Sequence, residues 1–228
     1  TIRNGTFFFK RNVGESGMDQ LSLMCRDTDF PPMSLDIYAT PGAKIKVTGT
    51  NPLIYTWRVD SPVKEQQEHN RFIEDSRDLW DEFQRLAIKE RSMRSASEAE
   101  RKALRTKSDS ISSIINQREL KLMKELPISN VWMEKLLRLS MSLKYNSRFT
   151  NKEEILALYD RLNEEQKASI EGQEIRVNLF PPKTVKEGDD MADADLFDLD
   201  GKVHHLADFK GKYMLLDFWS SGCGPCIM

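Results

Sequence analysis

The stretch Lys212-Tyr213-Met214-Leu215-Leu216-Asp217-Phe218-Trp219-Ser220-Ser221-Gly222-Cys223-Gly224-Pro225-Cys226 decides how this chain is read. Lys212 to Trp219 is a short, nearly continuous apolar run of the kind that forms a strand buried on both faces. After three small residues it leads directly into a Cys-x-x-Cys pair, and a strand running into that spacing is the context of a redox dithiol. Cys223 is then expected at the N-terminus of a helix, where unpaired backbone N–H groups and the positive end of the helix dipole favour thiolate over thiol. Cys226, one turn later, can attack a mixed disulfide formed on Cys223. Pro225 fits the first helical turn, and Gly224 leaves the sulfur accessible. The same pair could be half of a zinc site, which needs a second Cys or His pair. Of the chain's 3 cysteines the third is the distant Cys25, and His204-His205 lacks further ligands nearby, so no metal is assigned.

Upstream of that run, Asp200-Gly201-Lys202 is a tight-turn sequence between two short extended runs. Before it, Glu187 to Asp200 holds seven carboxylates and few β-branched residues, which reads as an acidic linker entering a new unit. Glycine then vanishes: five of the 11 glycines lie in the first 49 residues, none between Asn51 and Glu171, and five after Lys186. A long glycine-free stretch with proline only at 52, 62 and 127 is helical. Ser61-Pro62 is expected to open it, with Phe72, Leu79, Trp80, Phe83 and Leu86 on one face. A second helix is expected from about Ser97 to Leu126 with Leu104, Ile111, Ile115 and Leu122 as its stripe, ended by Pro127 and paired with the first as a hairpin. Asn130 can cap a third carrying Val131, Trp132, Leu136, Leu139 and Leu143. Thr150-Asn151-Lys152-Glu153 has the capping-box pattern of a fourth, and a fifth runs from Glu164 to Leu179.

The first segment reads as half-buried antiparallel strands at Thr6–Lys10, Gln20–Cys25, Ser34–Tyr38 and Lys44–Thr48, with Pro41-Gly42 and Gly14 to Gly17 as turns. Cys25, after an alternating run, reads as a small buried residue. The expected fold class is α+β, organised as an antiparallel β accessory domain (1–60), a helical region (61–182), an acidic linker (183–195) and an α/β unit (196–228).

Composition narrows the function. Hydrophobic residues at 39% and charged residues at 31% suit a globular chain, and no run approaches the roughly 20 apolar residues of a spanning helix. Lys and Arg (34) and Asp and Glu (36) nearly cancel, which removes the basic footprint of a nucleic-acid binder. Thr1 to Gly5 shows no targeting peptide, as a mature or trimmed chain would not.

The run Asp198 to Cys226, with DLDGK, LADFKGKYMLLDFW and CGPC, resembles the opening of the thioredoxin-like domains of TlpA and ResA type thiol-disulfide oxidoreductases, in the AhpC/TSA-Redoxin superfamily. The resemblance implies that Cys223 attacks, Cys226 resolves, and their redox-active disulfide serves with no other cofactor. It implies that Trp219 lies beside the disulfide and that Asp217 is the buried acid assisting deprotonation of the resolving thiol. Gly222 departs from the bulky residue that relatives carry before the first cysteine, which leaves the disulfide more exposed. Peroxiredoxins share the fold but use Thr-x-x-Cys, where this chain has Ser220 and a second cysteine.

The upstream β-then-helix arrangement is loosely similar to the accessory region of cell-envelope relatives. It implies a periplasmic or envelope location, a disulfide-containing protein substrate, an upstream thiol electron donor, no nucleic acid, and membrane association only through an N-terminal anchor outside this chain. A thioredoxin fold needs a domain of roughly 100 residues, and this chain stops at Met228, so the expectation is a chain truncated within that domain and inactive by itself although its parent is an enzyme. The alternative is a non-catalytic binding or assembly module of the envelope with a vestigial CxxC.

Overall fold

The computed structural model describes residues 6–10, 12–14, 17–93, 96–181, 186–191, 193–220 and 222–223. The chain forms two compact units, Thr1–Pro181 and Pro182–Met228. Helices and small antiparallel sheets together make it α+β.

In the first unit, β1 (Asp19–Leu23) pairs with β2 (Leu35–Ala39), Leu21 opposite Ile37, and β3 (Lys46–Thr48) pairs with β4 (Arg58–Asp60), Val47 opposite Val59. Three expected strands therefore form, β2 shifted by one residue and β1 and β3 shorter than expected. Thr6–Lys10 does not: Thr6 makes an isolated bridge, and Phe7, Phe8 and Phe9 are exposed outside any ladder. Strand β4 is too short to show a sequence period.

The outer edge of β2 is closed by a side chain. Tyr38 N–H donates to Gln66 Oε1 at 2.8 Å and Gln66 Nε2 donates to the Asp36 carbonyl at 3.5 Å, so a carboxamide stands where a third strand's peptide would lie. Gln66 is fully buried. Asn70 Nδ2 donates to the Val59 carbonyl at 2.8 Å, and Gln84 Oε1 accepts from Tyr55 N–H at 3.0 Å. The helices thus satisfy strand and loop backbone that would otherwise be buried unpaired.

The helices are α1 (Lys64–Asp75), α2 (Arg77–Ser92), α3 (Glu98–Glu125), α4 (Asn130–Tyr145), α5 (Lys152–Tyr159), α6 (Glu164–Ala168) and α7 (Ile170–Leu179). The first expected helix is two, broken at Ser76, and the fifth is two, broken at Ser169, whose hydroxyl accepts from Gly172 N–H and starts α7. Helix α3 opens at Ser97 with a capping box to Glu100. Three starts shift by a residue or two. Ser61 Oγ accepts from Val63 N–H ahead of α1, whose cap is Val63; Ser129, not Asn130, caps α4; and Asn151 pairs with Glu154, displacing the expected Thr150–Glu153 box.

The main core joins α3, α4, α5 and α7 through Leu120, Trp132, Leu136, Leu139, Ile155 and Ile175, and includes Tyr38 of β2. A second core, of Leu35, Ile54 and Val59 with Ile73 of α1, also joins the β segment to the helices. Trp132 is fully buried with Nε1–H on the Met123 carbonyl at 3.0 Å, while Trp80 and Phe83 meet edge to face.

In the second unit, β5 (Leu196–Phe197) and β6 (Val203–His204) form the expected hairpin, its turn at Gly201 in the left-handed region (φ 77°). One 3-10 turn follows at Leu206–Phe209. The buried strand expected over Lys212–Trp219 is absent. That run has no ladder, with Tyr213, Leu215 and Phe218 at 109%, 97% and 88% exposure. A strand patterned for burial on both faces needs neighbours in its sheet, and the described residues offer it none.

Candidate functional site

Cys223 follows that exposed run. Its N–H donates to the Ser220 carbonyl at 3.1 Å, closing a turn that leaves the residue half-buried. Cys223 is engaged in a disulfide, whereas Cys25 is a free thiol. Gly224, Pro225 and Cys226 lie outside the described residues, and with them the helix expected after Cys223. Asp217 and Trp219, assigned supporting roles by resemblance, both sit on exposed chain, Trp219 at 62%.

The hairpin entering this unit is organised by Asp198. Its Oδ1 accepts from the N–H groups of Asp200 and Lys202 at 3.0 and 2.9 Å, and its Oδ2 lies 2.8 Å from His204 Nε2. The bond to His204, with those backbone donors behind it, holds the Asp198 carboxyl below the usual carboxylate range. His205 has Asp193 at 3.5 Å from Nδ1 and Asp195 at 3.7 Å from Nε2. Among the described residues no group of His, Cys, Asp and Glu is arranged to hold a metal ion, and no helix is long and apolar enough to cross a membrane.

The first unit holds a second concentration of polar groups, which the apolar pattern did not reveal. Glu119 of α3 is 1% exposed and ion-paired to Arg138 and, at 3.7 Å, to Lys135, both on α4. Arg138 Nη1 also donates to Asn116 Oδ1 at 3.0 Å. Burial lowers both cations, Lys135 to about 8 and Arg138 to about 10. Nearby, the Tyr38 hydroxyl donates to Glu134 Oε2 at 2.5 Å; burial first, then this bond, raises the phenol, and burial raises Glu134. The signal for Glu119 was present: it falls four residues after Ile115 on the stripe that continues to Leu122. The cluster ties α3 to α4, and Arg138 also reaches a surface hollow lined by Ser142, Tyr145 and Asn146.

Comparison with known proteins reaches only part of the chain. Over 56 residues, 24% of the chain, it is 43% identical to the thiol-disulfide oxidoreductase ResA of Geobacillus thermodenitrificans (strain NG80-2). It is likewise 43% identical over 56 residues to ResA of Geobacillus kaustophilus (strain HTA426). The chain spans 32% of the length of each of these relatives. No protein-family profile and no solved structure matches it. The likeness is to a thioredoxin-like class of thiol-disulfide oxidoreductases, over that short segment.

Proposed function

We propose that this chain carries the redox end of a cell-envelope thiol-disulfide oxidoreductase that reduces protein disulfides through Cys223 and Cys226. The observation that carries the reading is a disulfide-bonded Cys223 within a CGPC sequence, on a chain with partial likeness to ResA.

In the proposed cycle both cysteines begin reduced. The Cys223 thiolate attacks one sulfur of the substrate disulfide, forming a mixed disulfide and expelling the other substrate sulfur as a thiolate that takes up a proton. Cys226, its proton removed with help from Asp217, then attacks the Cys223 sulfur. The second substrate thiol leaves, and the Cys223–Cys226 disulfide remains. An upstream dithiol donor, itself oxidised, returns the pair to the reduced state. Trp219 shields one side of the pair, and Gly224 and Pro225 are the two residues that separate the cysteines in sequence. No other cofactor takes part.

A redox titration against glutathione, read by alkylation and mass, tests this. Two thiols should appear together as the buffer becomes reducing, with Cys25 labelled throughout. Independent one-thiol steps would remove the reading.

A second reading, an envelope binding module with a vestigial CxxC, is favoured by the exposure of Asp217, which the resemblance requires as a buried acid. Cys223→Ser with Cys226→Ser abolishes function under the first reading and spares it under the second.

A further inference from the structure

We propose that the seam between the β1–β2 hairpin and the helices is an acid-labile joint, governed by His69 of α1, that opens ahead of the helical core. His69 is 7% exposed, its Nδ1 is buried without a hydrogen-bond partner, and its ring lies 5.5 Å from the Tyr38 ring at 53°. The charged groups around it are arranged against a proton. From α4, Lys135 and Arg138 act on the imidazole as like charges. The carboxylates nearby are committed elsewhere: Glu119 of α3 to Lys135 and Arg138, Glu134 of α4 to the Tyr38 hydroxyl, and Glu68 of α1 to Ser129 Oγ at 2.6 Å. Asp36 of β2 accepts from Ser22 and Ser34.

A proton on His69 in the closed seam therefore adds a positive charge to a buried ring already facing the cations Lys135 and Arg138. Burial first, then Lys135 and Arg138, hold the imidazole down to about 3; in an open seam, with water restored to the ring, it rises toward about 6.5. The open state thus binds the proton better. The closed state is fully favoured above about pH 6.5 and loses ground as pH falls toward 3. Glu134 works in the opposite sense, because a raised carboxyl favours the closed state as pH falls. The hairpin is the element that yields, since two strands alone are marginal in water and it meets α1 through Tyr38, Gln66 and the contact of Leu35 with Ile73.

Native-state hydrogen exchange of the full chain at pH 7.5 and pH 5.0, corrected for intrinsic rates, tests the joint. Between those values the two imidazole affinities give a rise in opening of up to roughly 30-fold. Peptides within 19–39 should lose that much protection, while peptides from α3 and α4 change little. In His69→Gln the acid loss should vanish and the weak opposite slope from Glu134 remain. If that variant does not fold, the nitrogen shifts of His69 in the unaltered chain decide, since the closed seam requires a neutral ring at pH 5. Hairpin protection unchanged at pH 5, protection lost equally across all helices, or a His69 titration near 6.5 in the closed protein would each overturn the proposal.

Discussion

Gln66 of α1 completes the sheet that Tyr38 of β2 begins: the Tyr38 N–H ends on Gln66 Oε1 at 2.8 Å, in a fully buried position. A two-stranded hairpin is thereby fixed to a helix by a peptide-like group on a side chain. Gln66→Leu removes the acceptor and leaves a buried N–H unsatisfied, a loss of about 1–3 kcal/mol. Urea unfolding should show a lower midpoint with an unchanged slope.

Glu119 is a buried acid paired with two half-buried cations of α4, so the group is worth more intact than its parts. Glu119→Gln removes the charged partner of Arg138 and Lys135 and should cost about 1–3 kcal/mol. Adding Arg138→Met should cost less than the sum of the single losses, a positive coupling measurable in a double-mutant cycle.

Arg161 seals the end of α3. Its guanidinium donates to the Met123 and Leu126 carbonyls, each at 2.8 Å, and its centre lies 5.3 Å from the Trp132 ring centroid. Lysine cannot reproduce a fork across two carbonyls over an aromatic face. Arg161→Lys should therefore lower thermal stability nearly as far as Arg161→Ala, a comparison calorimetry can make directly.

Gly172 lies where α6 turns into α7. A methyl group there would collide with the Gln166 carbonyl oxygen and approach Lys167 Cα to 2.8 Å, both backbone. Gly172→Ala should cost about 1–3 kcal/mol as overpacking, whereas Ser97→Ala, which removes the α3 cap, should cost about 1 kcal/mol. Chemical denaturation ranks the two.

Much of the helical unit could be read from the sequence. Pro127 and Ser97 bound α3, and the stripe Leu104, Ile111 and Ile115 is buried as its spacing requires. The break at Ser76 had no glycine or proline to announce it. The groups that join strands to helices, Gln66, Asn70 and Gln84, were invisible because a pattern of apolar positions passes over polar residues that serve the backbone. At the other end, Asp198 to His204 folded as its turn chemistry directs. The run Tyr213 to Trp219 did not, because its pattern calls for sheet partners that local sequence cannot supply. The cysteine pair was the clearest signal in the chain, and the structure shows Cys223 in the disulfide-bonded state.

The central claim is that Cys223 attacks and Cys226 resolves, and trapping tests it most directly. Cys226→Ser, reduced and mixed with a disulfide-bonded protein substrate, should accumulate a mixed disulfide through Cys223 that mass mapping locates. Cys223→Ser should accumulate none. Equal trapping by both variants, or by neither, would contradict the account.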